Sequence, residues 1–395
     1  MKRKALSLAV AASCAASGAA LAYDPDATTT DYEFRIAGAT APTATLRDVI
    51  IDNVCTSDIH YFQHKSNKHW NIACDVSGDK VLFRKNDGGS GTGTSPVDNA
   101  STTVEFFDGG LSLSGCSSES ASTGNTSYTS VKGCGNSAGA GGEGLIDLVA
   151  DIGVSDVEPA AFQGALAPLA DPENPNSEIS FMNESNMDVR TLAGLGFGIV
   201  VTENLYQALQ ADQFAGTPLA ADCAPTGANY SAPASEAVPA NLTDHDTGDT
   251  EMCMPNLASH TVRTILRGDL SLWTQMFTGT GLTNLFVQSI GKPYGSGTPQ
   301  VKVCRRIQGS GTHARTAITF LRTNCGSGSI VMGQPSCNTK IDGADCGNGF
   351  EGAQGSGEMT DCMNSSNANN KWAIGYHSVE KNAELSHGFR FVKID

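Results

Sequence analysis

Val301-Lys302-Val303-Cys304-Arg305-Arg306-Ile307-Gln308-Gly309-Ser310-Gly311-Thr312-His313 is the stretch from which the fold is read. Val301 to Cys304 predicts a strand. His313 to Leu321 predicts a helix, because Ala314, Ala317, Ile318 and Leu321 fall at i, i+3, i+4 and i+7 on one face. The glycine turn between them opens that helix. A helix start presents unpaired N–H groups and a partial positive charge. Glycine lets an anion approach the backbone, Ser310 and Thr312 add hydroxyls, and Arg306 offers a bidentate fork. The same Gly-Ser-Gly-Thr letters at Gly295 to Thr298 precede a proline and read as a turn. Position between strand and helix therefore carries the signal. The plain alternative is a capped helix with a surface arginine.

Working outward, strand, glycine turn and helix recur. Tyr32 to Ile36 is a strand, Ala37 to Pro42 a tight turn, and Thr45 to Val49 begins a helix. Lys80 to Arg84 is a strand ended by the turn Asn86 to Gly93. Leu145 to Ile152 is apolar and runs into Val154-Ser155-Asp156. Gly196 to Val201 is a strand, Asn204 to Gln210 a helix, and Val262 to Phe277 a helix with a turn and an aromatic anchor. Trp372 to Tyr376 and Gly388 to Ile394 are late strands. This alternation predicts an α/β fold with mostly parallel sheets. Residues 108–144 and 211–258 read as insertions, and 325–370 as a cysteine-bearing, Gly/Asn-rich loop region. In open α/β sheets, ligands bind at the carboxyl ends of strands. The ends at Ala39-Thr40-Ala41, Gly88 to Gly91, Val154 to Asp156 and Gly309 to Thr312 can therefore converge on one small anion.

The chain has 395 residues, which suits two domains. Its 25 Lys+Arg against 41 Asp+Glu give −16, which argues against a nucleic-acid partner. Residues 1–22 read as a secretory signal: Lys2, Arg3 and Lys4, then an apolar run, then Ala20-Leu21-Ala22 before Tyr23. Loss of those three positive charges takes the mature chain from −16 to about −19. Export permits disulfides. Cys55 with Cys74, Cys116 with Cys134 and Cys223 with Cys253 are local candidates, although spacing does not give connectivity. Removing Cys14 from the 12 cysteines leaves an odd number, and Cys304 is the candidate free thiol.

Gly38-Ala39-Thr40-Ala41-Pro42, Ile152-Gly153-Val154-Ser155-Asp156 and Arg306-x-x-Gly-Ser-Gly-Thr312 together resemble the phosphate-binding periplasmic proteins of ABC transporters. Ile265 to Trp273 and Ala373-Ile374-Gly375-Tyr376 match the same family without a ligand role. The resemblance implies a two-lobed type II periplasmic-binding-protein fold. Mixed, mostly parallel sheets flanked by helices would be joined by hinge strands. Lobe 1 would span 23–200, lobe 2 201–375, with a return to lobe 1 over 376–395. Position by position, it implies phosphate ligands at Thr40, Ala41, Ser90 and Asp156 from the first lobe. The second lobe would supply Arg306, Ser310, Gly311 and Thr312. Ser137 is the alternative to Ser90. Three departures stand out: Gln308 replaces the family's Asp after the arginine, Ala41 replaces its aromatic residue, and the chain stops soon after the late strand.

An ionised carboxylate only accepts hydrogen bonds. Asp156 would therefore fit a ligand oxygen that carries a proton, as phosphate has and sulfate at neutral pH lacks. The resemblance thus implies capture of inorganic phosphate, or arsenate as its mimic, by a secreted monomer. A membrane permease would be its downstream partner, with no catalytic residue, metal or cofactor. The alternatives are an extracellular structural or adhesion protein on the same fold and, less favoured, a secreted phosphatase. His60, His64 and His69 read as a solvated, lysine-rich face rather than a metal site. His313 reads as packing at its helix start. Asp244 to Glu251 reads as an acidic insertion, and Gly135 to Gly139 as a Ser/Gly-rich loop rather than a hydrolase elbow.

Overall fold

The computed structural model describes residues 30–64, 68–99, 101–108, 116–124, 126–134, 144–162, 184–191, 194–214, 216–220, 223, 253–278, 283–284, 299–322, 332, 337–338, 349–353, 355–379 and 388–395. The signal segment, Ser137 with its flanking glycines and the acidic stretch 244–251 lie outside them.

Two mixed sheets flanked by helices make the molecule α/β. The first has seven strands, in the order Ser117–Ser122, Ser127–Cys134, Ser57–His64, His69–Val76, Asp79–Asn86, Tyr32–Gly38, Ile152–Val154. Tyr32–Gly38 runs parallel to both neighbours, so three carboxyl ends point the same way. Strands Ser57–His64, His69–Val76 and Asp79–Asn86 form an antiparallel meander. Ser77 and Gly78 both hold positive φ between the last two, as a two-residue hairpin turn requires. The first sheet is therefore as antiparallel as it is parallel, against the mostly parallel expectation.

The second sheet has six strands, in the order Cys337–Asn338, Gly349–Ala353, Lys302–Arg306, Ala373–Ser378, Phe197–Thr202, Phe389–Phe391. Lys302–Arg306 is central and parallel to both neighbours. Helices Glu203–Phe214, Ser259–Arg267 and Ser356–Ala368 flank it. Its core buries Val303, Ile374, Trp273 and Trp372. Burying each such side chain contributes about 1.5–3 kcal/mol. Trp273 donates its indole N–H to Trp372 O at 3.1 Å, so the ring's polar atom is satisfied as well. Phe389–Phe391 pairs antiparallel with Phe197–Thr202 at the edge of this sheet. Among the described residues no helix is long and apolar enough to cross a membrane.

Several expectations are corrected. Residues 108–144 are not simply a surface loop, because Ser117–Ser122 and Ser127–Cys134 extend the first sheet. The turn Asn86 to Gly93 already contains a helix, Ser90–Asp98. Residues 325–370 include the 13-residue helix Ser356–Ala368. His64 and His69 are not solvated: both sit on strands and pack edge to face at 5.8 Å. Cys304 is not a free thiol. It is bonded to Cys362, 58 residues away, tying the central strand to helix Ser356–Ala368. On the chain-entropy relation such a loop is worth about 4 kcal/mol. Cys55–Cys74 and Cys223–Cys253 are bonded as their spacing suggested, and Cys116 is also disulfide-bonded.

Candidate functional site

The site forms where the carboxyl ends of the two sheets meet. Ser90 opens its helix directly after the strand Asp79–Asn86 and the turn that follows it. That helix lies unusually close to the sheet. A Cβ on Gly93 would sit 2.5 Å from Ala37 O, 2.7 Å from Gly38 Cα and 2.8 Å from Val154 O. A residue with a side chain there would push the helix off the strand ends, so glycine at 93 places Ser90 beside Asp156. The Asp156 N–H donates to Ser90 Oγ at 3.0 Å.

Lys85 braces the same turns from below. Its fully buried Nζ donates to Gly38 O (3.1 Å), Asn86 O (2.7 Å) and Asp87 Oδ1 (2.5 Å), with Ala39 O at 3.4 Å. Thr43 Oγ1 donates to the same Asp87 oxygen at 2.5 Å. Two loops that carry candidate ligands are thus tied through one ammonium group, and burial pushes the Asp87 carboxyl up against that pull. Sequence reading treated Lys85 as unremarkable. A lysine in the last turn of an apolar strand, two residues before an aspartate, was the available signal.

From the second sheet, Gly311 opens the helix Gly311–Thr316, and Ser310 caps it by accepting the His313 N–H at 3.3 Å. The Gly91 N–H donates to Gly309 O at 2.7 Å, joining the two glycine turns. Thr312 Oγ1 donates to Asp156 Oδ2 at 3.3 Å. Ser90, Asp156, Gly311 and Thr312 therefore meet, although they come from both sheets.

Arg306 is buried at the end of its strand. Its N–H donates to the Tyr376 hydroxyl at 2.9 Å, and that hydroxyl shares a 3.1 Å hydrogen bond with His313 Nδ1. Its Nε donates to Ala353 O at 3.3 Å and its Nη1 to Ser356 Oγ at 3.4 Å. With Gln at 308, these neutral oxygens hold the guanidinium. Burial pushes the Asp156 carboxyl up, with Arg306 opposing the shift through its charge. Burial also lowers Arg306, opposed by Asp156, and holds the His313 imidazole well below its usual range, keeping it neutral. The Tyr376 phenol is pushed up to about 12 by burial.

Thr40 reaches this set indirectly, with Oγ1 3.0 Å from Ser356 Oγ. Ala41 is buried at the entry to helix Thr43–Val49, beside the set rather than bonded into it among the described contacts. Ser356 was missed from sequence. Its signal was a strand end followed by Gly355-Ser356-Gly357-Glu358, the same small-residue pattern as at 309–312. Among the described residues no cluster of three or more His, Cys, Asp or Glu side chains is arranged to hold a metal. What the arrangement offers is a buried cation, several hydroxyls and one carboxylate of raised pKa. That set can hold a small oxyanion, with the carboxyl accepting a ligand proton when ionised and donating its own when protonated.

Compared with protein-family models, curated proteins and solved structures, the chain matches none.

Proposed function

We propose that this chain is an exported solute-binding protein of the two-lobed type II kind. It captures inorganic phosphate, or arsenate as its mimic, between its two sheets for delivery to a membrane permease. The observation that carries the reading is the half-buried Asp156 carboxylate, set among Ser90, Thr312 and Arg306. A cation site alone would take any oxyanion. A desolvated carboxylate in the same site penalises one that cannot supply a proton, by several kcal/mol on the scale of an unpaired buried charge. Thr40, Ala41, Ser310 and Gly311 complete the proposed ligand set. Three disulfides, Cys55–Cys74, Cys223–Cys253 and Cys304–Cys362, support an oxidising compartment and agree with the export signal read at residues 1–22.

The test is thermal unfolding of phosphate-stripped protein with phosphate, arsenate or sulfate. A ligand at ~100 times its dissociation constant adds about 2.7 kcal/mol of stability. Phosphate and arsenate should raise the unfolding temperature and sulfate should not. Equal shifts with all three would refute the role given to Asp156. No shift with any would refute the proposal.

A further inference from the structure

The first turn of helix Ser356–Ala368 touches the loops of the first sheet at two points. Ser356 Oγ lies 3.0 Å from Thr40 Oγ1, and Glu358 Oε1 lies 2.6 Å from Lys68 Nζ. The same Ser356 oxygen accepts from Arg306 Nη1 at 3.4 Å. The turn itself is held rigidly. Glu358 Oε2 accepts the Gly355 N–H at 2.9 Å, and His377 Nε2 lies 3.2 Å from Ser356 O. The Cys304–Cys362 bond ties the helix to the strand that carries Arg306. One hydroxyl on a fixed frame therefore meets both the guanidinium of one sheet and the threonine of the other.

We propose that Ser356 is a positioning residue of the anion site. It orients Arg306 and joins it to Thr40 across the cleft, with Glu358–Lys68 as the second point of the same clasp. Arginine orientation and approach of the two sheets then become one event. A neutral hydroxyl suits this task because it orients the guanidinium without placing another negative charge beside it. Glu358 stands two residues further on and also acts on Arg306 through its charge, while its two carboxylate oxygens accept from Lys68 and the Gly355 amide.

The inference rests on the phosphate reading, and the experiment separates the two. Phosphate titration by calorimetry is run on the wild type, Ser356→Ala, Ser356→Thr, Thr40→Val and the Thr40→Val/Ser356→Ala double variant. Ser356→Ala should bind phosphate about tenfold more weakly, as expected for losing a hydrogen bond to a charged group. It should also release the ligand faster, with little change in ligand-free unfolding temperature. Ser356→Thr should restore most of the affinity, and the double variant should lose less than the product of the two single losses. Wild-type affinity in Ser356→Ala overturns the inference and leaves the phosphate reading standing. So does a loss that threonine fails to restore, or single losses that simply multiply. A wild-type protein that ignores phosphate overturns the reading and the inference with it.

Discussion

Gly311→Ala tests whether the contact between the two sheets is the binding-competent one. A Cβ at 311 would lie 2.7 Å from Asp156 Cβ and 3.0 Å from Ser90 Cβ, pressed against Ser90 Oγ. Carbon atoms pack at about 3.5–4.0 Å, so something must give by roughly 1 Å. No rotamer change relieves it, because two of the three obstacles are Cβ atoms fixed by backbone. Ser90 is pinned by the helix that Gly93 seats on the strand ends, and Asp156 is pinned to Ser90 through its amide. Overpacking of this kind costs about 1–3 kcal/mol. At 1.4 kcal/mol per factor of ten, the expected loss of phosphate affinity is about 5- to 150-fold. Both obstacles belong to the first sheet's loops, so the cost falls on the sheet-to-sheet contact rather than on either core. Ligand-free unfolding should therefore change much less than affinity. Gly357→Ala is the matched control, since a Cβ there meets nothing within 4 Å. It should bind as the wild type does and gain up to about 1 kcal/mol from helix propensity. Calorimetric titration of both variants decides the matter. A Gly311→Ala protein that binds phosphate as tightly as wild type would refute the proposed site geometry.

Two further outcomes follow from the same contacts. Burial raises the Asp156 carboxyl above its ordinary value, so the folded chain binds this proton more tightly than the unfolded chain. Any stability gained this way is fully present below the unfolded carboxylate range, about pH 4, and is lost as pH rises through the folded value. In phosphate-free denaturant titrations, Asp156→Asn should therefore gain on the wild type as pH rises through that window, and a gap that stays constant with pH would contradict the assignment. Tyr376→Phe leaves the buried Arg306 N–H without its 2.9 Å acceptor, and should lower unfolding free energy by about 1–3 kcal/mol; an unchanged denaturation midpoint would show that the hydroxyl does not anchor the arginine strand.

The parts of the fold legible in sequence are those whose burial follows a simple period. Ala314, Ala317 and Leu321 are buried and Ile318 half-buried, as their spacing required. Tyr32–Gly38, Asp79–Asn86 and Lys302–Arg306 were readable as strands because apolar residues run into glycine turns, and those turns led to Thr40, Ser90 and Thr312. The missed elements bury the wrong kinds of residue for such a reading. His69–Val76 is buried along most of its length, with no alternation, and starts with a histidine. Ser117–Ser122 is largely exposed and four of its six residues are serine, so no apolar alternation marks it as a strand. Helix Ser356–Ala368 buries Met359, Thr360, Cys362, Met363 and Ser366. That face has helical spacing, but two of its residues are polar and one is a cysteine, so hydrophobicity understates it. Ser356 was lost with that helix. Cys304 was misread for a related reason: its partner lies on an element that had not been seen.

The chain's negative charge does not contradict an anion site, because distance and burial weigh charges differently. Exposed carboxylates more than about 8 Å away are largely screened at physiological ionic strength. An exposed, distant carboxylate among the 41 Asp+Glu acts on the site only through that screened medium. Lys85 and Arg306 do not: both are buried, and both lower the Asp156 pKa through their charge. Arg306 donates to neutral oxygens from Ala353 and Ser356, while Asp156 and Glu358 act on it through their charge. Lys85 is different, since Asp87 sits 2.5 Å from its Nζ and absorbs much of its field locally. With Lys85 set against Asp87 and Lys68 against Glu358, the net local balance is one guanidinium against one carboxylate of raised pKa. Such a site carries about one positive charge while Asp156 is protonated and is close to neutral once it ionises, and the ionised carboxylate then faces any bound anion unless a proton lies between them. A ligand that brings its own proton meets that condition, which is why the site's selectivity and its pH response are expected to move together when Asp156 is changed.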